Sequence, residues 1–200
     1  MNVRLSHGRR QQGFTLIELM VVITIIAVLT AIAVPTFGVV QTMMKRTQSR
    51  SLCVSIATAI TQYNTEYAVY PVVTGMGGSA TTDATLGPTA PAAGWINLCA
   101  GLNGNKNLYT LVDATTGINT RNIPYLTAAR RDIDPSGFIK DPLSITGETF
   151  NLVMDTNYDS VLLALPDMSK DSGTINVSGG VAVWSSAPGV GKQKKWVGNY

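Results

Sequence analysis

The sequence predicts an α+β chain: one long amino-terminal helix, membrane-spanning in its first half and amphipathic in its second, packed on a small antiparallel sheet. Two observations carry this. A dense apolar block covers Phe14 to Val40, while the remainder is polar and rich in Gly and Thr. Short aliphatic runs bounded by turn residues gather in the last third of the chain. With 200 residues there is room for one compact domain beside such a helix.

The apolar block comes first. Between Phe14 and Val34 the only polar residues are Thr15, Glu18, Thr24 and Thr30. About 20 apolar residues suffice for a helix to cross a bilayer, and Val and Ile do not oppose a helix there, because in lipid the backbone must satisfy itself. The formal net charge of +3 has its origin just before this block. Of 15 basic residues, Arg4, Arg9 and Arg10 precede Gly13, leaving 12 against 12 acidic side chains in the rest. The basic balance is therefore a positive-inside signal flanking a membrane segment rather than a nucleic-acid footprint.

Glu18 is the anomaly of the block. A carboxylate among lipid-facing residues is costly. No basic residue follows it before Lys45, so a partner is expected in the arginines before it, a lipid headgroup or another subunit.

Beyond the block, Leu52, Ile56, Ile60, Tyr63 and Tyr67 repeat at three- and four-residue steps and mark one face of an amphipathic helix. Lys45, Arg46 and Arg50 precede that face, meeting lipid headgroups, acidic groups of neighbours or solvent. Pro35 removes a backbone donor and is the expected kink, and Pro71 after Tyr70 is the expected stop. Val72 to Gly94 reads as an irregular loop over the head. Phe150–Met154 and Ser160–Leu165 read as strands with Asp155–Asp159 as the turn between them, and Val181–Trp184 as a third strand.

Cys53 and Cys99 fit no zinc or redox spacing. With the domain outside the cytoplasm a disulfide between them is the expectation, two independent thiols the alternative.

The segment Arg10-Gln11-Gln12-Gly13-Phe14-Thr15-Leu16-Ile17-Glu18 resembles the prepilin peptidase motif of type IV pilins and type II secretion pseudopilins. The resemblance implies a pilin-like fold and cleavage of a leader, residues 1–13, between Gly13 and Phe14. It further implies N-methylation of Phe14 and a subunit-assembly role for Glu18 with Phe14, Glu18 then being fifth in the mature chain. Pro35 falls where many members carry a helix-loosening proline. The organisation that follows is a transmembrane and filament-core helix over 14–40, an amphipathic helix over 41–71 and a periplasmic head over 72–200. Implied partners are other copies of the chain, minor pilins and pseudopilins, the peptidase, an inner-membrane assembly platform and the lipid bilayer. Tyr70-Pro71, Asp141-Pro142 and the turn Trp184–Gly189 are similar to the protein G group of major pseudopilins.

That group usually binds calcium through an aspartate-bearing carboxy-terminal loop. Here Val190 to Lys195 carries no carboxylate, so no cofactor is expected at that place. Asp155, Asn157 and Asp159 have the spacing of a calcium loop, but Ser160 and Pro166 stand where such a loop wants Gly and Glu, which favours a plain hairpin turn. Catalysis is not expected. The one histidine, His7, lies in the leader, and Asp132 with Asp134 reads as a solvated loop. Lys192, Lys194 and Lys195 read as a solvated tail.

The functional expectation is a pseudopilus subunit of type II secretion in the bacterial inner membrane. A type IV pilus subunit for adhesion, motility or DNA uptake, and a tethered binding protein that never polymerises, are the alternatives. An ordinary signal peptide ending near Ala31-Ile32-Ala33, or an unprocessed anchor, leaves Glu18 without a reason.

Overall fold

The structure is a computed structural model that describes residues 13–79, 82–88, 92–114, 116–144, 147–185 and 196–200, without the side chains of 35, 36, 78, 79 and 92. Residues 1–12 of the leader, the turn residues 186–189 and the lysines at 192–195 therefore lie outside the described residues. The chain divides into a unit that ends at Thr42 and a second unit, Met43–Tyr200. Helix α1, Leu16–Tyr67, contributes to both.

In the first unit α1 is apolar on every side and its described side chains are exposed. Leu16, Ile17, Met20, Ile23, Ile26, Leu29 and Ile32 are all exposed. A helix that is hydrophobic all round needs a nonaqueous surrounding, and this one is long and apolar enough to cross a membrane. The helical assignment is unbroken through Pro35, whose side chain, and with it the expected kink, lies outside the described residues.

In the second unit α1 carries the head. Its expected face is the buried one: Ile56 and Ile60 are fully enclosed, with Leu52 and Tyr63 nearly so, and Cys53 and Ala59 complete the stripe. The helix ends at Tyr67, three residues short of the expected stop. Ala68 takes the left-handed conformation at φ 57° and its N–H donates to the Asn64 carbonyl at 2.7 Å, so a left-handed residue and not Pro71 ends the helix.

The stretch expected to be irregular holds β1 (Gly77–Ser79), β2 (Thr82–Leu86) and the start of helix α2 (Ala92–Leu102). Only Ala84 and Leu86 of β2 face inward, which leaves a weak apolar signal; pairing with a central strand makes the element. Helix α2 is held by burial of Trp95, Leu98 and Leu102 in spite of its two glycines.

Strands β3 (Asn151–Met154), β4 (Val161–Pro166) and β6 (Val181–Ser185) lie where the sequence places strands. Strands β5 (Thr174–Ser178) and β7 (Val197–Gly198) complete the set. Their pairing corrects the expected hairpin. Strand β3 lies between β2 and β6 in a five-stranded antiparallel sheet ordered β1-β2-β3-β6-β7, while β4 pairs only with β5 in a separate sheet. The register sets Leu152 opposite both Leu86 and Val183.

The sheet buries both faces. Leu86, Leu152, Met154 and Val183 join α1 and α2 in one core. The residues between them, Val153, Ala182 and Trp184, join Leu162 and Leu165 of β4 in a second core. Uninterrupted apolar runs in β3 and β6 are the sequence form of that double burial.

Asp141 fastens these layers. Its buried carboxylate accepts from the Ser49 hydroxyl of α1 at 2.8 Å, from the Leu143 amide at 3.0 Å and from the Ser185 hydroxyl at the end of β6. Burial pushes this carboxyl above the ordinary aspartate value, against the three hydrogen bonds, which pull it down. A raised folded-state value means the contribution is whole below the unfolded value and declines as pH rises through the folded one. Asp141→Asn should flatten the fall in urea midpoint that sets in as pH rises above the ordinary aspartate range. Asp141→Ala strands buried partners and should cost about 2–3 kcal/mol at neutral pH, read by the same unfolding curves.

Candidate assembly site at the amino end of the first helix

Gly13, Phe14 and Thr15 precede the helix without regular secondary structure and are exposed. A Cβ placed on Gly13 meets nothing within 4 Å, so the chain's own packing does not ask for glycine there. Phe14 is 84% exposed, among the most solvent-facing apolar residues of the molecule.

Glu18 has an intramolecular partner that the sequence analysis missed. Its Oε2 accepts from the Thr15 amide at 2.8 Å and from the Thr15 hydroxyl at 2.7 Å, while the Glu18 amide donates to Thr15 Oγ1 at 3.3 Å. Thr15 is the residue before the first helical position and Glu18 the third within it, so the pair forms a reciprocal capping box. The helix begins at Leu16 because two of its orphan donors are satisfied there. The carboxylate also sits at the positive end of the helix dipole. The spelling Thr-x-x-Glu was the available signal. Glu18 Oε1 has no hydrogen bond among the described residues.

Residues 8–34 match a family described as the prokaryotic N-terminal methylation motif. The chain carries the signature of type IV pilins and pseudopilins. Neither the curated proteins nor the solved structures yield a match. The long amino-terminal helix and the antiparallel sheet make the chain α+β, as its sequence predicts. The helix that follows the start of this motif is long and apolar enough to cross a membrane.

The other candidate residues lie elsewhere. In the structure Cys53 and Cys99 are both buried and are not joined to one another. The Cys53 sulfur approaches the Val197 carbonyl at 3.9 Å, and burial pushes both thiols up to about 12. Each is a small apolar core residue of its helix.

The calcium spacing resolves into a self-satisfied turn between the two sheets. Asp155 accepts from the Asp159 and Ser160 amides at 3.2 and 2.9 Å, Asn157 donates to Asp159, and Asp159 accepts from the Val161 amide at 2.8 Å. Tyr158 and Ser160 stand at positive φ, which swings the chain away from β3 and removes the expected hairpin. Asp83 of β2 lies within electrostatic reach, its carboxyl raised by burial and by the charges of Asp155 and Asp159. Among the described residues no three His, Cys, Asp or Glu side chains converge as a metal set.

Asp132 and Asp134 also serve structure. Asp132 is buried and accepts from Gln48 Nε2 of α1 at 2.5 Å, and Asp134 accepts from the Ser136 amide at 2.9 Å. Asn119, unmarked in the sequence analysis, is a buried anchor at φ 53°. Its amide nitrogen donates to the Gly101 and Ile123 carbonyls, and its oxygen accepts from Tyr67 of α1.

Thr15→Val removes the hydroxyl from the capping box, whereas Thr15→Ser keeps it. Faster amide exchange at Leu16 to Leu19 in the valine variant alone, measured in micelles, is the expected result.

Proposed function

We propose that the chain is a structural subunit, not an enzyme, of a pseudopilus that serves type II protein secretion. Prepilin peptidase cuts the precursor between Gly13 and Phe14, and the new Phe14 amine is methylated. The head then lies in the periplasm and the filament grows through α1. The observation that carries this reading is the methylation motif over residues 8–34, whose part from Leu16 onward lies on a helix with an exposed apolar surface among the described residues.

The capping box deepens the assembly step. Thr15 holds one carboxylate oxygen of Glu18 and so fixes the side chain, while Oε1 has no hydrogen bond among the described residues. That oxygen is the acceptor for the Phe14 ammonium of an incoming copy. Pairing two charges that are each costly in lipid favours one axial position over its neighbours. A glycine with open space around it before the cut is consistent with a demand made by the peptidase rather than by the fold. The choice of pseudopilus over type IV pilus rests on the short resemblances at Tyr70-Pro71, Asp141-Pro142 and Trp184-Ser185.

A deletion strain should accumulate secretion substrates in the periplasm while keeping its surface fibres and motility. Loss of long fibres with normal secretion assigns the chain to a type IV pilus instead. Complementation with Glu18→Ala should give a membrane-inserted, cleaved protein whose mature product begins at Phe14 by mass spectrometry, with secretion reduced at least tenfold, the scale of one lost buried charge pair.

A further inference from the structure

A second charged feature lies in the head. A cleft of about 430 Å³ is lined by Lys45 and Gln48 of α1, Arg131 and Asp132 of the 3-10 turn Arg130–Asp132, and the segment Lys140 to Ser144. That volume is within the range of small-ligand sites, about 300–1,000 Å³.

Three cations from separate parts of the chain are brought to it by specific bonds. Ile133 bridges Ile139, and the Lys140 amide donates to the Asp132 carbonyl at 2.8 Å, so Arg131 and Lys140 share one narrow ribbon. Gln48 Nε2 fastens that ribbon to α1 through Asp132, beside Lys45. Both acids at the cleft already have partners, and for Asp132 these are the cleft's own Gln48 and Arg131. Asp132 is held by Gln48 and lies 3.6 Å from Arg131 Nε, and Asp141 is buried under its serine and amide donors. Arg130, the neighbour of Arg131, is also engaged: its guanidinium stacks 4.1 Å above the Tyr109 ring and donates to the Tyr109 carbonyl. Arg131 in contrast is 80% exposed along its side chain.

Chain position names the occupant. Met43 and Met44 end the exposed apolar stretch of α1, and Lys45 is the next residue. A cleft whose first cation directly follows a membrane-spanning stretch is within chain reach of the headgroup layer. Phosphate oxygens suit two ammonium groups and a planar guanidinium.

We propose that the cleft formed by Lys45, Arg131 and Lys140 binds the phosphate headgroup of an anionic phospholipid. This rests on the membrane-anchored reading of α1 and not on polymerisation. The bound lipid ties the ribbon and the helix to the membrane surface, and it must be released when a subunit leaves the bilayer.

The test uses the full-length chain in nanodiscs of equal phosphatidylglycerol and phosphatidylcholine, with native mass spectrometry of the lipids that stay bound. Wild type should retain phosphatidylglycerol over phosphatidylcholine by on the order of tenfold, the scale expected for a few cations at an anionic surface. The triple variant Lys45→Gln, Arg131→Gln, Lys140→Gln should show no preference. A Lys45→Arg, Lys140→Arg variant with an unchanged circular dichroism spectrum should keep it, which separates charge from folding. Equal retention by wild type, or a preference that survives the triple variant, overturns the proposal. Inorganic phosphate bound as well in phosphatidylcholine discs overturns the lipid assignment in favour of a soluble anion. Salt-sensitive self-association in such discs, lost in the triple variant, overturns it in favour of an acidic face of a second copy. A chain that does not enter the discs overturns the anchor and the cleft together, whereas entry without preference overturns the cleft alone.

Discussion

Because Leu152 and Met154 turn toward α1 while Val153 between them turns toward β4, the central strands of the head have no face left for water. Two covering layers are then required, and the rest of the head supplies them. Helices α1 and α2 close one side and the β4–β5 ribbon closes the other. The bends at Tyr158 and Ser160 follow from this, since a chain leaving β3 has to cross to the second layer and not pair back beside it. Asp141 sits where helix, sheet and loop meet, and its carboxylate is tolerated there because three donors converge on it.

The amino-terminal helix obeys a different solvent. Its polar residues are few, and where they occur they serve the backbone. Thr24 and Thr30 donate back to the Val21 and Ile26 carbonyls, and Thr15 and Glu18 close the first turn. One oxygen of Glu18 is engaged by its own helix, and that engagement restricts the freedom of the side chain.

Legibility followed locality. The membrane stretch, the methylation motif and the Leu52–Tyr67 stripe were readable because each is written in residues a few positions apart. Strand β2 and helix α2 were not, since Thr82–Leu86 and Ala92–Leu102 have weak intrinsic patterns and exist through partners far along the chain. The strands of the last third were found, but β3 was joined to β4, because sequence neighbourhood says nothing of a sheet whose central strand pairs with β2 and β6. The capping box was in plain view as Thr15-Leu16-Ile17-Glu18, yet Glu18 was weighed only as a charge and not as a hydrogen-bond acceptor. Cys53 and Cys99 were paired from compartment logic, while the fold uses each as core volume.

Those thiols set a clock. In the finished head they are enclosed and almost wholly protonated, so oxidants find no thiolate to attack. An emerging, still-unfolded chain has no such protection, and its sulfurs are ordinary. Where the unfolded chain meets an oxidant, collapse of the core around Cys53 and Cys99 therefore competes with oxidation. A head that closes first is inert to redox chemistry for the rest of its life. One that closes late is liable to be trapped with a covalent link its packing has no place for.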